Sequence, residues 1–207
     1  MEERLETLRG LIERQKIYQA RLARTALVGG TLSIFTATAL FVNDEIAAFL
    51  DRPVRPREFA AAWIVVLAVT LVTAAMLAVR APAGESAHRS KMRIKLLLAV
   101  IAPYVLIPSA FTAWFFGTGY LGGTELDLVV VWIAFYGLML VGTAAFAPRS
   151  VVLLGWLFLL TAVGVPLLDE KLDLFAGDMP SLFMGLTFGV YHCIYAVFNW
   201  RANNPPP

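Results

Sequence analysis

The sequence predicts an all-α fold: a polytopic membrane helix bundle of six transmembrane helices, preceded by an amphipathic helix at the cytoplasmic interface. Three observations predict it. The 207 residues are 59% hydrophobic and 15% charged, whereas soluble domains carry about 45–50% apolar and about 25% charged residues. The apolar residues are also clustered. Six windows, at 25–43, 59–79, 96–116, 128–147, 151–168 and 180–200, contain no Asp, Glu, Lys or Arg. Finally, the basic residues of the connections divide unevenly, thirteen on one side against four on the other, as the positive-inside rule expects of a multi-pass protein.

The windows are 19, 21, 21, 20, 18 and 21 residues long. A helix rises about 1.5 Å per residue and must cross roughly 30 Å of hydrocarbon, so each is close to a full crossing. Lipid offers the backbone no hydrogen bonds, so the segments must be helical or belong to a closed barrel. Barrel strands alternate apolar and polar residues, and the run VVLLGWLFLL at 151–160 does not.

Residues 1–24 precede the first window. Leu5, Leu8, Ile12, Gln15, Gln19 and Leu22 follow a 3-4-3-4-3 spacing that places them on one helical stripe. Acids gather early and bases late, in the sense the helix dipole favours, and Glu6/Arg9 and Glu13/Lys16 are i,i+3 pairs. As an interfacial anchor, this helix would set Lys16, Arg21 and Arg24 against anionic headgroups. As a docking helix, it would hold a cytoplasmic protein or a second copy of the chain. Two glutamines on the stripe and barely three heptads weigh against an autonomous coiled coil and favour the anchor. Glu2, Glu3, Glu6 and Glu13 among the bases are foreign to a secretory signal, so the first window is read as a retained helix.

Direction follows from the connections. The N-terminal segment, the second connection (Arg80, Arg89, Lys91, Arg93 and Lys95), Arg149 and Arg201 together hold thirteen bases on one side, against four on the other. Basic residues stay cytoplasmic, so both termini are expected inside the cytoplasmic (inner) membrane. Ten of the fifteen acids fall on the outer side. Trp63, Trp114, Trp132, Trp156 and Trp200 lie near window ends, where amphipathic rings settle.

Several local features refine the bundle. Pro103 and Pro108 are expected to kink the third span. Pro148-Arg149-Ser150 is expected to be a three-residue hairpin, with Pro148 ending the fourth helix. Helix contacts in lipid rely on small residues, which directs attention to Gly185 and Gly189, Ala26 and Gly30, and Gly29 and Ser33. The tail at 201–207 is expected to be disordered.

Few residues could carry chemistry. His192 lies about eight residues before Trp200, hence near the bilayer midplane at 1.5 Å per residue. A midplane imidazole is costly unless paired, so it should be neutral and face the bundle. A proton relay, a substrate contact and a single haem ligand are its functional readings. A packing histidine bonded to a Tyr, a Thr or a carbonyl is the structural one, favoured by the absence of a carboxylate within the windows. Tyr136 and Tyr195 complete a candidate polar site with His192, while Tyr104 and Tyr191 are further buried hydroxyls. His88 sits apart in the second connection, and Cys193, the one cysteine, is expected to be inert and forms neither a disulfide nor a multi-cysteine metal site. No phosphate loop, His-Glu-x-x-His or G-x-S-x-G occurs. The outer acids Asp169, Glu170, Asp173 and Asp178 read as a solvated loop. No catalytic residue, cofactor or metal is expected, and a net charge of +2 gives no sign of nucleic-acid binding.

Three stretches resemble a known family. They are Leu8-Arg9-Gly10-Leu11-Ile12-Glu13-Arg14-Gln15, the connection Ala147-Pro148-Arg149-Ser150-Val151-Val152-Leu153-Leu154-Gly155, and Phe188-Gly189-Val190-Tyr191-His192. They are similar to the opening, the short fourth connection and the last helix of an uncharacterised family of bacterial six-helix integral membrane proteins, often encoded beside a winged-helix regulator. Where that family often has Pro-Gly-Trp-Gly at the first span, this chain has Arg24-Thr25-Ala26-Leu27. The resemblance implies architecture and a regulatory setting, and it draws attention to Glu13 and His192.

Organised polarity lies on the cytoplasmic face, so the leading expectation is a non-enzymatic membrane protein that senses, regulates or scaffolds. The lipid bilayer is its first expected partner, and a cytoplasmic protein or a second copy of the chain, held by the N-terminal helix, is the second. Lys16, Arg21, Arg24, Arg89, Lys91 and Arg93 are the candidate lipid or partner contacts. A small permease for a neutral or apolar solute, with Tyr136, His192 and Tyr195 along its path, is the alternative. An intramembrane enzyme or haem protein is a third.

Overall fold

A computed structural model describes residues 2–50, 56–79, 87–117, 125–144, 147–172 and 180–203. Within these helices, the side chains of 2–18, 21, 47–49, 56–57, 78–79, 87–100, 168–172 and 201–203 lie outside the described set. The apolar stripe before Gln19, the Glu6/Arg9 and Glu13/Lys16 pairs, and the side chains of Lys16, Arg21, Arg89, Lys91 and Arg93 fall there, as do Asp173, Asp178 and the tail beyond Asn203.

Among the described residues all regular structure is helical: α1 (Glu2–Phe49), α2 (Pro56–Val79), α3 (Ala87–Gly117), α4 (Glu125–Gly142), α5 (Arg149–Leu172) and α6 (Pro180–Met184). A π-helical stretch, Gly185–Tyr191, follows α6 directly and runs into α7 (His192–Asn203), so these three form one final helix. Five segments are long and apolar enough to cross a membrane: Leu22–Ile46, Glu58–Leu77, Glu125–Gly142, Arg149–Leu167 and Pro180–Trp200. A shorter apolar segment, Ile101–Gly117, completes α3. The outward side chains suit lipid. Ile64, Val65, Leu67, Leu71, Val72 and Met76 of α2 are all exposed, and water would meet there an apolar surface of the kind soluble monomers avoid.

Each apolar window coincides with a helix, but several ends differ from expectation. α1 is one helix of 48 residues, unbroken where residues 1–24 were expected to meet the first span. It also continues six residues beyond Asn43, because Asp44, Glu45 and Ile46 contain no helix breaker and the next proline is Pro53. α3 starts nine residues before its apolar window and passes through both prolines. Below each proline a hydroxyl takes up a carbonyl, Ser109 donating to Val105 and Thr112 to Pro108, both at 2.7 Å.

The fourth helix requires a correction. It stops at Gly142, five residues short of Ala147. There the Thr143 amide donates to both Met139 and Leu140, and the Ala144 amide to Val141, tightening the last turn. Pro148 does not end this helix; its carbonyl accepts the Val151 amide at 2.9 Å and thereby opens α5. A proline suits a helix start, where the missing N–H is not needed. The connection is therefore 143–148 rather than three residues.

Small residues set the packing. α4 and α5 share an extensive interface in which Gly137 faces Gly155. A methyl at either glycine would lie 2.9 Å from the other's carbonyl oxygen. α1 packs on the final helix through Gly30, Gly185 and Gly189. A methyl on Gly30 would lie 2.9 Å from the Gly189 carbonyl, and one on Gly185 2.7 Å from the Ala37 Cβ. Gly29 faces Thr70 of α2. α3 lies along α4, with Trp132 Nε1 donating to Thr112 Oγ1 at 2.9 Å and Tyr104 beside Gly142. Phe158, Leu128, Ile133 and Val129 are fully buried at the centre.

Two contacts tie helix ends together. The Arg24 guanidinium sits 5.9 Å from the Trp200 ring, and Ser150 Oγ donates to Asn199 Oδ1 at 3.2 Å. Residue 24, the start of α5 and the end of α7 therefore share one end of the bundle. Trp114, Trp156 and Trp200 are about half exposed, as rings in a lipid interface would be. Trp63 is 4% exposed, and Trp132 stacks on Phe59 at 6.4 Å, so these two turn inward and serve packing.

Candidate functional site

The candidate site forms where α4, α5 and the final helix converge. Tyr136, on the middle of α4, and His192, the first residue after the π-helical stretch, share a hydrogen bond of 2.7 Å between the hydroxyl and Nε2. Tyr136 reaches the final helix because Gly137, its neighbour in sequence, lets α4 and α5 approach backbone to backbone. The spacing of 56 residues between the partners makes this a bond of tertiary structure.

Aromatic rings enclose the pair. Phe158 of α5 stands edge-on to His192 at 5.6 Å, and Phe188 stacks on it at 6.2 Å with an interplanar angle of 10°. Both phenylalanines also contact Tyr136, at 4.8 and 4.9 Å. Such distances are those of direct ring contact. The second ring nitrogen, Nδ1, is buried, and the backbone of Thr187 and Phe188, on the preceding π-helical turn, lies within reach of the imidazole. The π-helical stretch is the unusual element beside it. Its wide turns relax the i→i−4 pattern and occur frequently at functional sites.

A second polar contact lies one position earlier: Tyr191 and Thr161 share a hydrogen bond at 3.0 Å. Tyr195, grouped with Tyr136 and His192 from sequence, is one turn further along α7 and 8% exposed. Its carbonyl accepts a hydrogen bond from Asn199 Nδ2 at 2.8 Å. Cys193 turns towards α1, with its sulfur against Gly30. The structure thus joins Tyr136 and His192 directly and buries Tyr195 nearby, while Tyr104 stands apart at Gly142.

Chemically the arrangement is a neutral donor–acceptor pair in an apolar aromatic cage. Tyr136 occupies Nε2, and the imidazole also faces the backbone of Thr187 and Phe188. Among the described residues no group of three or more His, Cys, Asp or Glu side chains gathers to hold a metal. Sequence reasoning did not identify Phe158, Phe188 or Thr161. Phe188 was legible in principle, lying four residues before His192 on the same helix, whereas Phe158 and Thr161 come from another element and leave no local signal.

The other candidate surface is at the end marked by Arg24. Ala23 and Leu27 of α1 and Ala196, Val197 and Trp200 of α7 line an open apolar groove of about 130 Å³. Arg24, one of the expected lipid or partner contacts, is exposed beside it. No family model, curated protein or solved structure matches the chain.

Proposed function

We propose that this chain is a six-span protein of the cytoplasmic membrane, with both ends inside, and that it acts without catalysis as a sensing, regulatory or scaffolding element through its cytoplasmic face. The observation that carries the reading is the unbroken α1. The span Leu22–Ile46 accounts for its membrane part, and the helix preceding Leu22 adds about 30 Å at 1.5 Å per residue. A helix that lies flat in the interface must bend sharply to enter a span, and sharp bends have identifiable causes such as proline. None stands between Glu2 and Leu22. The anchor favoured by sequence is therefore less well supported than a rod that projects from the membrane and presents a docking surface.

The six-span count rests on parity. Arg24 and Trp200 share one end of the bundle, and an odd number of crossings between them would place them at opposite ends. Five segments among the described residues qualify by length and composition, and this parity supports α3, with its shorter apolar segment Ile101–Gly117, as a sixth crossing. The basic connections then lie on the side of Arg24, which is the cytoplasmic side by the retention of basic residues. The resemblance to the bacterial six-helix family supports the same architecture, and one stretch that carries it, Phe188-Gly189-Val190-Tyr191-His192, spans the end of the π-helical stretch.

Ring contacts around His192 favour the scaffolding reading over the alternatives. A permease path needs room beside Tyr136 and His192, where Phe158 and Phe188 instead lie against the imidazole. A haem ligand needs a free nitrogen with an open face, and Nε2 is bonded to Tyr136. Affinity purification from crosslinked membranes tests the proposal. A specific cytoplasmic protein should be recovered with the full chain and lost when residues 2–20 are removed. Equal recovery from both forms would overturn the docking role.

A further inference from the structure

We propose that the groove between α1 and α7 is a binding site for an anionic phospholipid of the leaflet on the Arg24 side, with the phosphate on Arg24 and part of an acyl chain against Ala23, Leu27, Ala196 and Val197. The site presupposes a bilayer around the bundle but does not depend on the docking role of α1.

Two independent features meet there. The groove wall is built from small and aliphatic side chains, together with the Trp200 ring. Its volume of about 130 Å³ is close to that of an apolar cavity of about 150 Å³ that takes up benzene, so it holds a stretch of acyl chain. Ala23 and Ala196, 1% and 3% exposed, form the closed floor of the groove, and Leu27, Val197 and Trp200 are its exposed walls.

The second feature is the cation at its mouth. The Arg24 guanidinium is 5.9 Å from the centroid of Trp200, itself a wall of the groove. That is within cation–π range, so the indole orders the charge at the mouth without neutralising it. No carboxylate among the described residues pairs with Arg24, and no acid lies within ten positions of it along the chain. Guanidinium groups bind phosphate through paired N–H donors, a geometry suited to a phosphodiester. An apolar recess beside an ordered cation that no carboxylate among the described residues neutralises is complementary to a lipid of net negative charge.

The proposal commits to a negatively charged lipid over a zwitterionic one, and the full chain in detergent micelles tests that difference. The protein is incubated with equal amounts of phosphatidylglycerol and phosphatidylcholine of matched acyl chains, and the retained lipid is read by native mass spectrometry. Phosphatidylglycerol should be retained in preference by about fivefold, the ratio corresponding to about 1 kcal/mol per basic residue near an anionic surface. Arg24→Gln should bring the ratio close to one. Leu27→Asn, which puts a polar group on the exposed wall of the groove, should lower retention of both lipids. Arg149→Gln removes another exposed cation near the same end and should leave the ratio unchanged. Equal retention of both lipids by the wild type would overturn the site while leaving the membrane architecture intact. An undiminished preference in Arg24→Gln would likewise overturn it. Helical content and monodispersity measured alongside show that each variant is folded.

Discussion

At the scale of single residues, the Tyr136–His192 bond carries the most consequence. A neutral imidazole inside an apolar bundle must recover in hydrogen bonding what it loses in hydration, and the Tyr136 hydroxyl supplies one such bond. Tyr136→Phe keeps the ring contacts and removes that bond alone. Interhelical hydrogen bonds in membrane proteins average about 0.6 kcal/mol and reach about 1.7 kcal/mol. Tyr136→Phe is accordingly expected to destabilise the protein within that range, measured by reversible unfolding in micelles. A double-mutant cycle with His192→Phe should return a coupling of similar size, and additive effects would show that the two side chains do not cooperate. That His192 needed a partner was legible in the sequence, because burying an imidazole has a known cost. Which hydroxyl supplied it was not, since Tyr104, Tyr136, Tyr191 and Tyr195 have the same local appearance. Tyr136 is distinguished by facing α5 and the final helix at a glycine contact, a fact of tertiary structure.

At the scale of elements, glycine spacing decides how closely helices approach. Gly137 and Gly155 sit with each backbone in the space the other's side chain would need. Gly137→Ala would place a methyl 2.9 Å from the Gly155 carbonyl oxygen and 3.0 Å from Phe158 Cβ, a crowding expected to destabilise by about 1–3 kcal/mol. Gly164, on the same α5, has nothing within 4 Å of that position. Gly164→Ala should therefore stabilise slightly through helix propensity, by up to about 1 kcal/mol. Thermal unfolding of both variants in one detergent checks the contrast, and equal effects would contradict it. The existence of each helix was legible because lipid imposes a minimum apolar length. Their ends were less so: hydropathy marks where a helix enters lipid, while hydrogen bonding decides where it stops. α1 accordingly runs through Asp44 and Glu45, and α4 ends at Gly142 in the middle of an apolar run. The π-helical stretch Gly185–Tyr191 was not legible at all, since an accommodated extra residue alters register without altering composition.

At the scale of the molecule, five of the described segments are long and apolar enough to cross a membrane, and their outward surfaces are apolar. α1 and the final helix run antiparallel through Gly30, Gly185 and Gly189. α5 meets the final helix in the same sense, from Ser150 against Asn199 to Thr161 against Tyr191. Reading that direction from sequence relied on thirteen bases against four across alternate connections, a signal set by insertion rather than by packing. Arg24 beside Trp200 is the contact that the proposed even number of crossings requires. The most direct measurement is cysteine accessibility in intact cells and inverted vesicles, with single cysteines at the exposed positions 24, 127 and 149 in a Cys193→Ala background. Labelling of positions 24 and 149 from the cytoplasmic side and of position 127 from the opposite side is the predicted result. Positions 24 and 149 labelled from opposite sides would contradict the six-crossing bundle.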